Sequence, residues 1–200
     1  MNKMHVVADS ISMHYGPYLE SYSAPYYDYS RKEKTIGTLE NSEGVNGGDA
    51  FQVLSYLQRC IDQNMYWDLL VLNWGLHDIR CRPNLGLQVN SLDYERNLRQ
   101  IFEISNKIAN QKIWIRTTPI VDELHNSLKS DYKRYNADVI KYNEIADRLV
   151  ASQKIRRVDL YSFCLNLGGA ELRCDHIHFT EEVRRLQGAF VAGHLVAFLQ

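Results

Sequence analysis

The sequence has no excess of charge of either sign, and this argues against two classes of partner. Its 200 residues carry 23 Lys and Arg against 24 Asp and Glu, so the formal net charge is −1. A chain this close to neutral supplies no field that would attract the phosphates of a nucleic acid or an anionic membrane surface. We therefore expect no nucleic acid partner.

Long apolar runs are also missing. No stretch approaches the roughly 20 apolar residues that a membrane-spanning helix needs, and the apolar run at residues 4–8 is too short for a signal peptide. The four cysteines, at positions 60, 81, 164 and 174, form no Cys-x-x-Cys pair, and an even count alone is weak evidence for disulfides. These absences favour a reduced protein of the cytoplasm.

Short apolar runs instead alternate with longer amphipathic segments. With 45% hydrophobic residues and no repeat or linker, the chain is expected to bury one core and form a single domain over residues 1–200. The predicted strands span 4–8, 68–73, 112–116 and 155–160, with a weaker strand ended by the turn at 44–48. Helices are predicted after the caps Asp49, Ser91 and Thr180, and a fourth amphipathic stretch runs from about 131 to 151.

This alternation predicts an α/β fold, a three-layer α/β/α sandwich around a five-stranded parallel sheet. Ligands bind beyond the carboxyl ends of the strands in such a sheet, so the residues that follow each strand are the candidates for chemistry. They are polar or glycine-rich, as the segments 9–12, 46–49, 73–78, 117–119 and 174–179 show.

Three of these residues suit nucleophilic catalysis. A serine hydroxyl needs a base to take its proton, and the base needs an orienting partner. Ser10 can supply the nucleophile and His178 the base, with Asp175 three residues away and able to reach the imidazole. His176 is an alternative base with a less favourable spacing from Asp175. No G-x-S-x-G motif occurs, which excludes the nucleophile elbow of the α/β-hydrolases.

The oxyanion formed by such a nucleophile needs hydrogen-bond donors. The backbone N–H groups of Ser10 and Gly48 and the side chain of His77 are the candidates. Asn73, four residues before His77, is an alternative side-chain donor.

Four segments, in this order, resemble the sequence blocks of the SGNH hydrolases, the superfamily of GDSL-type esterases and lipases. Residues 8–12 (A-D-S-I-S) resemble G-D-S-x-S, with alanine where glycine is usual, and residues 48–49 (G-D) resemble the second block. Residues 75–78 (G-L-H-D) resemble G-x-N-D, with His77 replacing the oxyanion-hole asparagine, and residues 175–178 (D-H-I-H) resemble D-x-x-H. The resemblance implies a flavodoxin-like fold and ester hydrolysis, often of acetyl or short acyl groups, without a metal or other cofactor.

Aromatic and histidine side chains near these blocks are candidates for substrate contacts. Trp74 lies beside the third block, Tyr15 follows the nucleophile in a tyrosine-rich segment, and His125 follows the Thr-Pro loop. The tyrosines are equally compatible with amphipathic packing. The expected substrate is a small ester or an acylated carbohydrate.

Other functions fit the same residues. An acyltransferase would use the same triad with an alcohol in place of water. The departures at Ala8 and His77 suggest a non-catalytic module that binds carbohydrate or lipid on a decayed scaffold. Asp175, His176 and His178 also have the residue types of a metal site, which would need a further ligand such as His77.

Overall fold

The described residues of the computed structural model, 1–32, 44–197 and 199, contain seven strands. They are β1 (Asn2–Ala8), β2 (Tyr27–Arg31), β3 (Trp67–Asn73), β4 (Cys81–Arg82), β5 (Gly86–Leu87), β6 (Ala109–Ile115) and β7 (Arg156–Val158). Five of these strands form a parallel sheet in the order β2-β1-β3-β6-β7. The short strands β4 and β5 form a separate antiparallel pair.

Helices cover both faces of the parallel sheet. They are α1 (Ser10–Ser23), α2 (Ala50–Asp62), α3 (Ser91–Ser105), α4 (Asp122–Leu128), α5 (Asn136–Ser152), α6 (Leu160–Leu167) and α7 (Glu181–Ala197). α7 packs on α1 and α6 in one layer, and α3 packs on α2 and α5 in the other. The predicted three-layer α/β/α sandwich is confirmed. No helix in the described ranges is long and apolar enough to cross a membrane.

The central strands carry continuous buried runs toward their carboxyl ends, where both of their faces are covered. Val6 pairs with Val71 and Val71 with Ile113 across β1, β3 and β6, and these three side chains are buried. Continuous burial of this kind is typical of a parallel sheet between two helix layers. It holds the carboxyl ends of the strands rigidly at one edge.

The second strand of the sheet differs from the prediction. It is β2, an edge strand in the tyrosine-rich segment, and it ends well before the turn at 44–48. A strand ended by that turn would fall on residues 33–43, which lie outside the described residues. β7 is shorter than predicted, since Leu160 already begins α6.

The predicted helix starts are partly right. Asp49 caps α2 in a reciprocal pair with Gln52, as expected. The cap of α3 is Asn90, whose side chain accepts from two backbone N–H groups, and Ser91 is already helical. The amphipathic stretch from 131 becomes helical only at Asn136, and the preceding α4 was not predicted.

Candidate active site

The turn between β1 and α1 carries the predicted nucleophile. Ser10 is the first residue of α1, and Asp9 caps the helix by accepting the N–H of Ile11 at 3.1 Å. Backbone N–H groups in the first turn of a helix have no acceptor within the helix. The turn therefore brings both the hydroxyl and the backbone N–H of Ser10 to the carboxyl edge of the sheet.

Ser10, His178 and Asp175 form a continuous hydrogen-bonded chain. Ser10 Oγ lies 2.8 Å from His178 Nε2, and His178 Nδ1 lies 2.6 Å from Asp175 Oδ2. A carboxylate only accepts hydrogen bonds, so His178 Nδ1 carries the proton and Nε2 offers a lone pair to the Ser10 hydroxyl. The structure thus brings together side chains that are 168 positions apart along the chain.

Asp175 is held as a carboxylate by its neighbours. Partial burial alone would raise its pKa, but hydrogen bonds from the backbone N–H groups of His178 and Ile177 and from the His178 ring lower the pKa to about 2. A charged Asp175 fixes the His178 tautomer and can stabilise the imidazolium that forms when His178 takes a proton.

Asp175 and His178 lie in a loop over residues 173–179, which we call the triad loop. An antiparallel bridge between Arg173 and Phe179 closes it, and Cys174 N–H donates to the His178 carbonyl at 2.9 Å. The Arg173 guanidinium reaches out of the loop and donates to the Pro119 carbonyl at 2.6 Å. The start of the loop is therefore fixed to the segment that follows β6.

The glycines of the second block lie against the end of β1. Gly47 N–H donates to the Ala8 carbonyl at 2.8 Å, and a Cβ at Gly47 would meet the Ala8 backbone at 3.0 Å. Gly48 has a φ of 77°, which favours glycine. Its N–H donates to Asn46 Oδ1 at 2.9 Å, so it can serve an oxyanion only by leaving that acceptor.

The third block is joined to the start of α2. Asp78 Oδ1 accepts the N–H of Ala50 at 2.9 Å, and His77, one residue earlier, is buried. Burial, together with the charge of nearby Asp49, raises the pKa of Asp78 well above its usual range against the effect of the Ala50 hydrogen bond. The side-chain amide of the alternative donor Asn73 donates to the Ile115 carbonyl at 2.8 Å.

The substrate contacts predicted at Trp74, Tyr15 and His125 stay a prediction, and the structure buries these three side chains. All three side chains are 0% exposed. Trp74 packs edge-on against Trp114 at 4.9 Å between ring centroids, inside the core.

The alternative base, His176, is bonded to His125. Its Nδ1 lies 2.9 Å from Nδ1 of His125, whereas it is His178 that contacts Ser10. The structure thus favours His178 as the base. No group of three or more His, Cys, Asp and Glu side chains in the described part of the chain could hold a metal ion.

The sequence did not predict two residues close to the candidate site, His14 beside His178 and Arg134 beside the third block. The ring of His14 lies 4.5 Å from that of His178, and its position four residues after Ser10 on one helix face was an available signal. Arg134 is buried, donates to the Leu76 carbonyl at 2.6 Å and acts electrostatically on Asp9. The sequence does not indicate that Arg134 is buried, because an arginine in an amphipathic stretch is normally solvated.

Searches against protein-family models and curated proteins found no match. Solved structures do match this chain. A lipase/acylhydrolase from Enterococcus faecalis has a TM-score of 0.71 at 16% identity, covering 98% of this chain and 95% of its own. A member of the lipolytic protein G-D-S-L family from Veillonella parvula has a TM-score of 0.68 at 17% identity, covering 96% of each chain.

This chain has the SGNH hydrolase fold. A carbohydrate acetylesterase from Sinorhizobium meliloti is also similar, with a TM-score of 0.66 at 10% identity over 99% of this chain and 100% of its own. On the SGNH hydrolase fold of this chain, the first and third blocks follow β1 and β3, the second directly precedes α2, and the fourth lies in the loop before α7.

Proposed function

We propose that this chain is a serine esterase that hydrolyses carboxylic esters through Ser10, His178 and Asp175. The observation that carries the proposal is the unbroken hydrogen-bonded chain from Asp175 through His178 to Ser10. The similarity in fold to a lipase/acylhydrolase and a carbohydrate acetylesterase supports it. No feature of the triad requires a bound cofactor for this reaction.

Acylation begins at the Ser10 hydroxyl. Its oxygen bonds to the ester carbonyl carbon as its proton passes to His178 Nε2, and the carbonyl electron pair moves onto oxygen. Asp175, ionised because its pKa is about 2, stabilises the imidazolium. When the tetrahedral intermediate collapses, the bond to the alcohol oxygen breaks and the proton of His178 goes to the departing alcohol.

Deacylation repeats these steps with water as the nucleophile. Water gives a proton to His178 Nε2 and bonds to the acyl carbon, and the bond to Ser10 Oγ then breaks as that proton returns to the serine. The products are a carboxylic acid and the regenerated enzyme.

The oxyanion is proposed to be held by the backbone N–H of Ser10 and the side chain of His77, with the Gly48 N–H as a third donor. The first-turn position supports Ser10, because its N–H needs an acceptor from outside the helix. The Gly48 N–H can donate to the oxyanion only when it gives up its hydrogen bond to Asn46 Oδ1. Hydrogen-bond donors stabilise an oxyanion most when they already point to its position before the negative charge develops.

The proposed substrates are esters of acetyl or other short acyl groups on a small alcohol or a carbohydrate. This class is supported by the names of two structures with the same fold, an acetyl xylan esterase and a carbohydrate acetylesterase.

Substitution of the nucleophile tests the proposal. Ser10→Ala is expected to abolish hydrolysis of p-nitrophenyl acetate, and a fluorophosphonate is expected to add its mass at Ser10 in the wild-type protein only. Ser55→Ala, at an exposed position on α2, is the matched control and should behave as wild type. Turnover that persists in Ser10→Ala would overturn the assignment.

The same preparation separates the alternatives. Absence of both turnover and labelling in the wild-type protein would favour a non-catalytic binding module. Transfer of acetyl to an added sugar that outruns hydrolysis would favour an acyltransferase.

A further inference from the structure

The triad loop is bonded to α4 through two buried imidazoles. His176, between Asp175 and His178, has its Nδ1 2.9 Å from Nδ1 of His125, and the two ring planes are 65° apart. The side chain of His125 is 0% exposed and that of His176 is 9% exposed. Two imidazole nitrogens at this distance form one hydrogen bond, in which one ring donates and the other accepts.

The internal bonds of the triad loop define its shape but not its position. Asp175 Oδ1 accepts the backbone N–H groups of Ile177 and His178, all within the loop. The Asp175 side chain is 41% exposed, so packing gives it little support. Position must come from contacts to other elements. The bond between Arg173 and Pro119 holds the start of the loop, and Arg184 of α7 holds its end by donating to the Phe179 carbonyl at 2.8 Å, so neither bond holds the middle.

We infer that His125 and His176 are positioning residues, whose mutual hydrogen bond holds the middle of the triad loop against α4 and keeps Asp175 and His178 aligned with Ser10. The inference rests on the proposed function of the triad. It assigns a role to two histidines that the esterase mechanism itself does not use.

The surroundings of His125 keep this bond intact at neutral pH. Burial, together with the charges of Arg134, His176 and Lys129, lowers the pKa of His125 to about 3, although a hydrogen bond to the His176 backbone acts in the opposite direction. A neutral imidazole always has one N–H and one lone pair. His125 thus provides a fixed, uncharged partner for the loop, backed by α4, where Lys129 N–H donates to its carbonyl at 3.1 Å.

Catalysis is sensitive to small displacements of the reacting groups. A misplacement of about 1 Å can cost roughly 100-fold in rate even when the change lies outside the chemistry. Loss of the His125–His176 bond is therefore expected to lower kcat by about 10- to 100-fold and to leave KM nearly unchanged, because neither ring touches the substrate in the proposed mechanism.

Two substitutions at His125 separate hydrogen bonding from packing. His125→Phe keeps the ring volume and removes Nδ1, whereas His125→Asn loses volume but keeps a polar atom close to the position of Nδ1. The inference expects a higher kcat for His125→Asn than for His125→Phe. A role in packing alone predicts the reverse order, and this result would overturn the inference.

Further variants test the same bond from its other partner. At position 176, too, the Asn variant should have a higher kcat than the Phe variant. If His125→Phe fails to fold, these two variants still test the hydrogen bond from the triad loop. The double variant His125→Phe/His176→Phe should be no slower than the slower single variant, because each change removes the same interaction. His194→Phe on α7, where the ring contacts Phe190, is the matched control and should keep wild-type kcat.

A readout that needs no turnover separates failure of the inference from failure of the proposed function. The proton on His178 Nδ1 that bonds to Asp175 should give a downfield NMR resonance, sharp in the wild type and in His125→Asn and broadened or lost in His125→Phe. A wild-type protein without esterase activity but with this pattern would contradict the proposed function alone. An unchanged resonance and unchanged kcat in both Phe variants would overturn the positioning role alone.

Discussion

The imidazole of His14 lies against that of His178, with 4.5 Å between the ring centroids and 36° between the ring planes. His14 is four residues after Ser10, so one turn of α1 carries both the proposed nucleophile and a residue that packs on the proposed base. Burial, with smaller effects of His178 and Arg184 and an opposing effect of Asp175, lowers the pKa of His14 to about 4. The ring beside the base is therefore uncharged at neutral pH.

A positive charge introduced at position 14 should repel the imidazolium form of His178. In His14→Arg a permanent cation opposes the imidazolium that forms during acylation, so kcat should fall. The acid limb of the pH profile of kcat/KM should move to lower pH by about half a unit to one unit, since a charge at this distance is worth about 1 kcal/mol in a solvated site. Rates of p-nitrophenyl acetate hydrolysis between about pH 4 and pH 9 measure the shift.

The neutral variant His14→Gln is the control for loss of the ring. It should lower the rate without moving the acid limb. An equal displacement of that limb in both variants would contradict an electrostatic effect of the cation.

Gly47→Ala tests the close approach between the second block and β1. The added Cβ would meet the Ala8 carbonyl carbon and oxygen at 3.0 Å, and backbone atoms cannot move aside as a flexible side chain can. We expect a loss of about 1–3 kcal/mol in the free energy of unfolding, typical of overpacking. The rate of ester hydrolysis should fall as well, because displacement of this turn moves Gly48 relative to Ser10.

The matched control is Gly193→Ala in α7, where nothing lies within 4 Å of the added Cβ. Alanine is the better helix former, so this variant should gain about 0.5–1 kcal/mol. Urea unfolding of both variants measures the difference. Equal stabilities of the two would show that the turn at Gly47 can move away from β1.

Asp9→Asn should stabilise the protein at alkaline pH. Burial raises the pKa of Asp9 to about 6, against the effects of the Ile11 N–H and Arg134. An acid with a raised folded pKa binds more protons when folded than when unfolded, so stability falls as the pH rises through the interval between the two values. The variant keeps an oxygen to cap α1 and should gain up to about 3 kcal/mol near pH 8, with little gain near pH 4.

Asp159→Asn provides a control of opposite sign. Asp159 caps α6, and although partial burial would raise its pKa, hydrogen bonds from Ser162 and the charge of Arg116 lower it. The ionised form stabilises the fold, and this stabilisation is lost as the pH falls through the folded pKa. Asp159→Asn should therefore be less stable than wild type near pH 8. The same sign for both variants in pH-dependent unfolding would contradict this electrostatic account.

The sequence predicts the buried parts of the fold better than its edges. β1, β3 and β6 are buried on both faces, so their apolar runs are continuous and visible. β2 lies at the sheet edge and reads Y-D-Y-S-R, a pattern that resembles an exposed segment. The start of α5 was placed too early, because residues 131–135 continue its polar pattern without being helical.

In the candidate site, too, the sequence predicts some features and not others. Ser10 could be predicted because it follows the apolar run of β1, and Asp175 and His178 because they are three residues apart shortly before the last helix. The bond between His125 and His176 joins residues 51 positions apart and depends on how α4 packs, which no local pattern encodes. The burial of Trp74 is likewise set by the layer that covers β3.

His77 provides the sharpest test of the proposed oxyanion hole. It lies where the resemblance to SGNH hydrolases places an asparagine donor, and it is buried beside Asp78 in the third block. His77→Ala should lower kcat by about 10²- to 10³-fold, the usual cost of one oxyanion donor, with a small effect on KM. His77→Asn should recover part of this loss, because a carboxamide also donates a hydrogen bond and does so at any pH. If the alanine and asparagine variants were equally slow in p-nitrophenyl acetate hydrolysis, the donor role would have to pass to the backbone N–H groups of Ser10 and Gly48 alone.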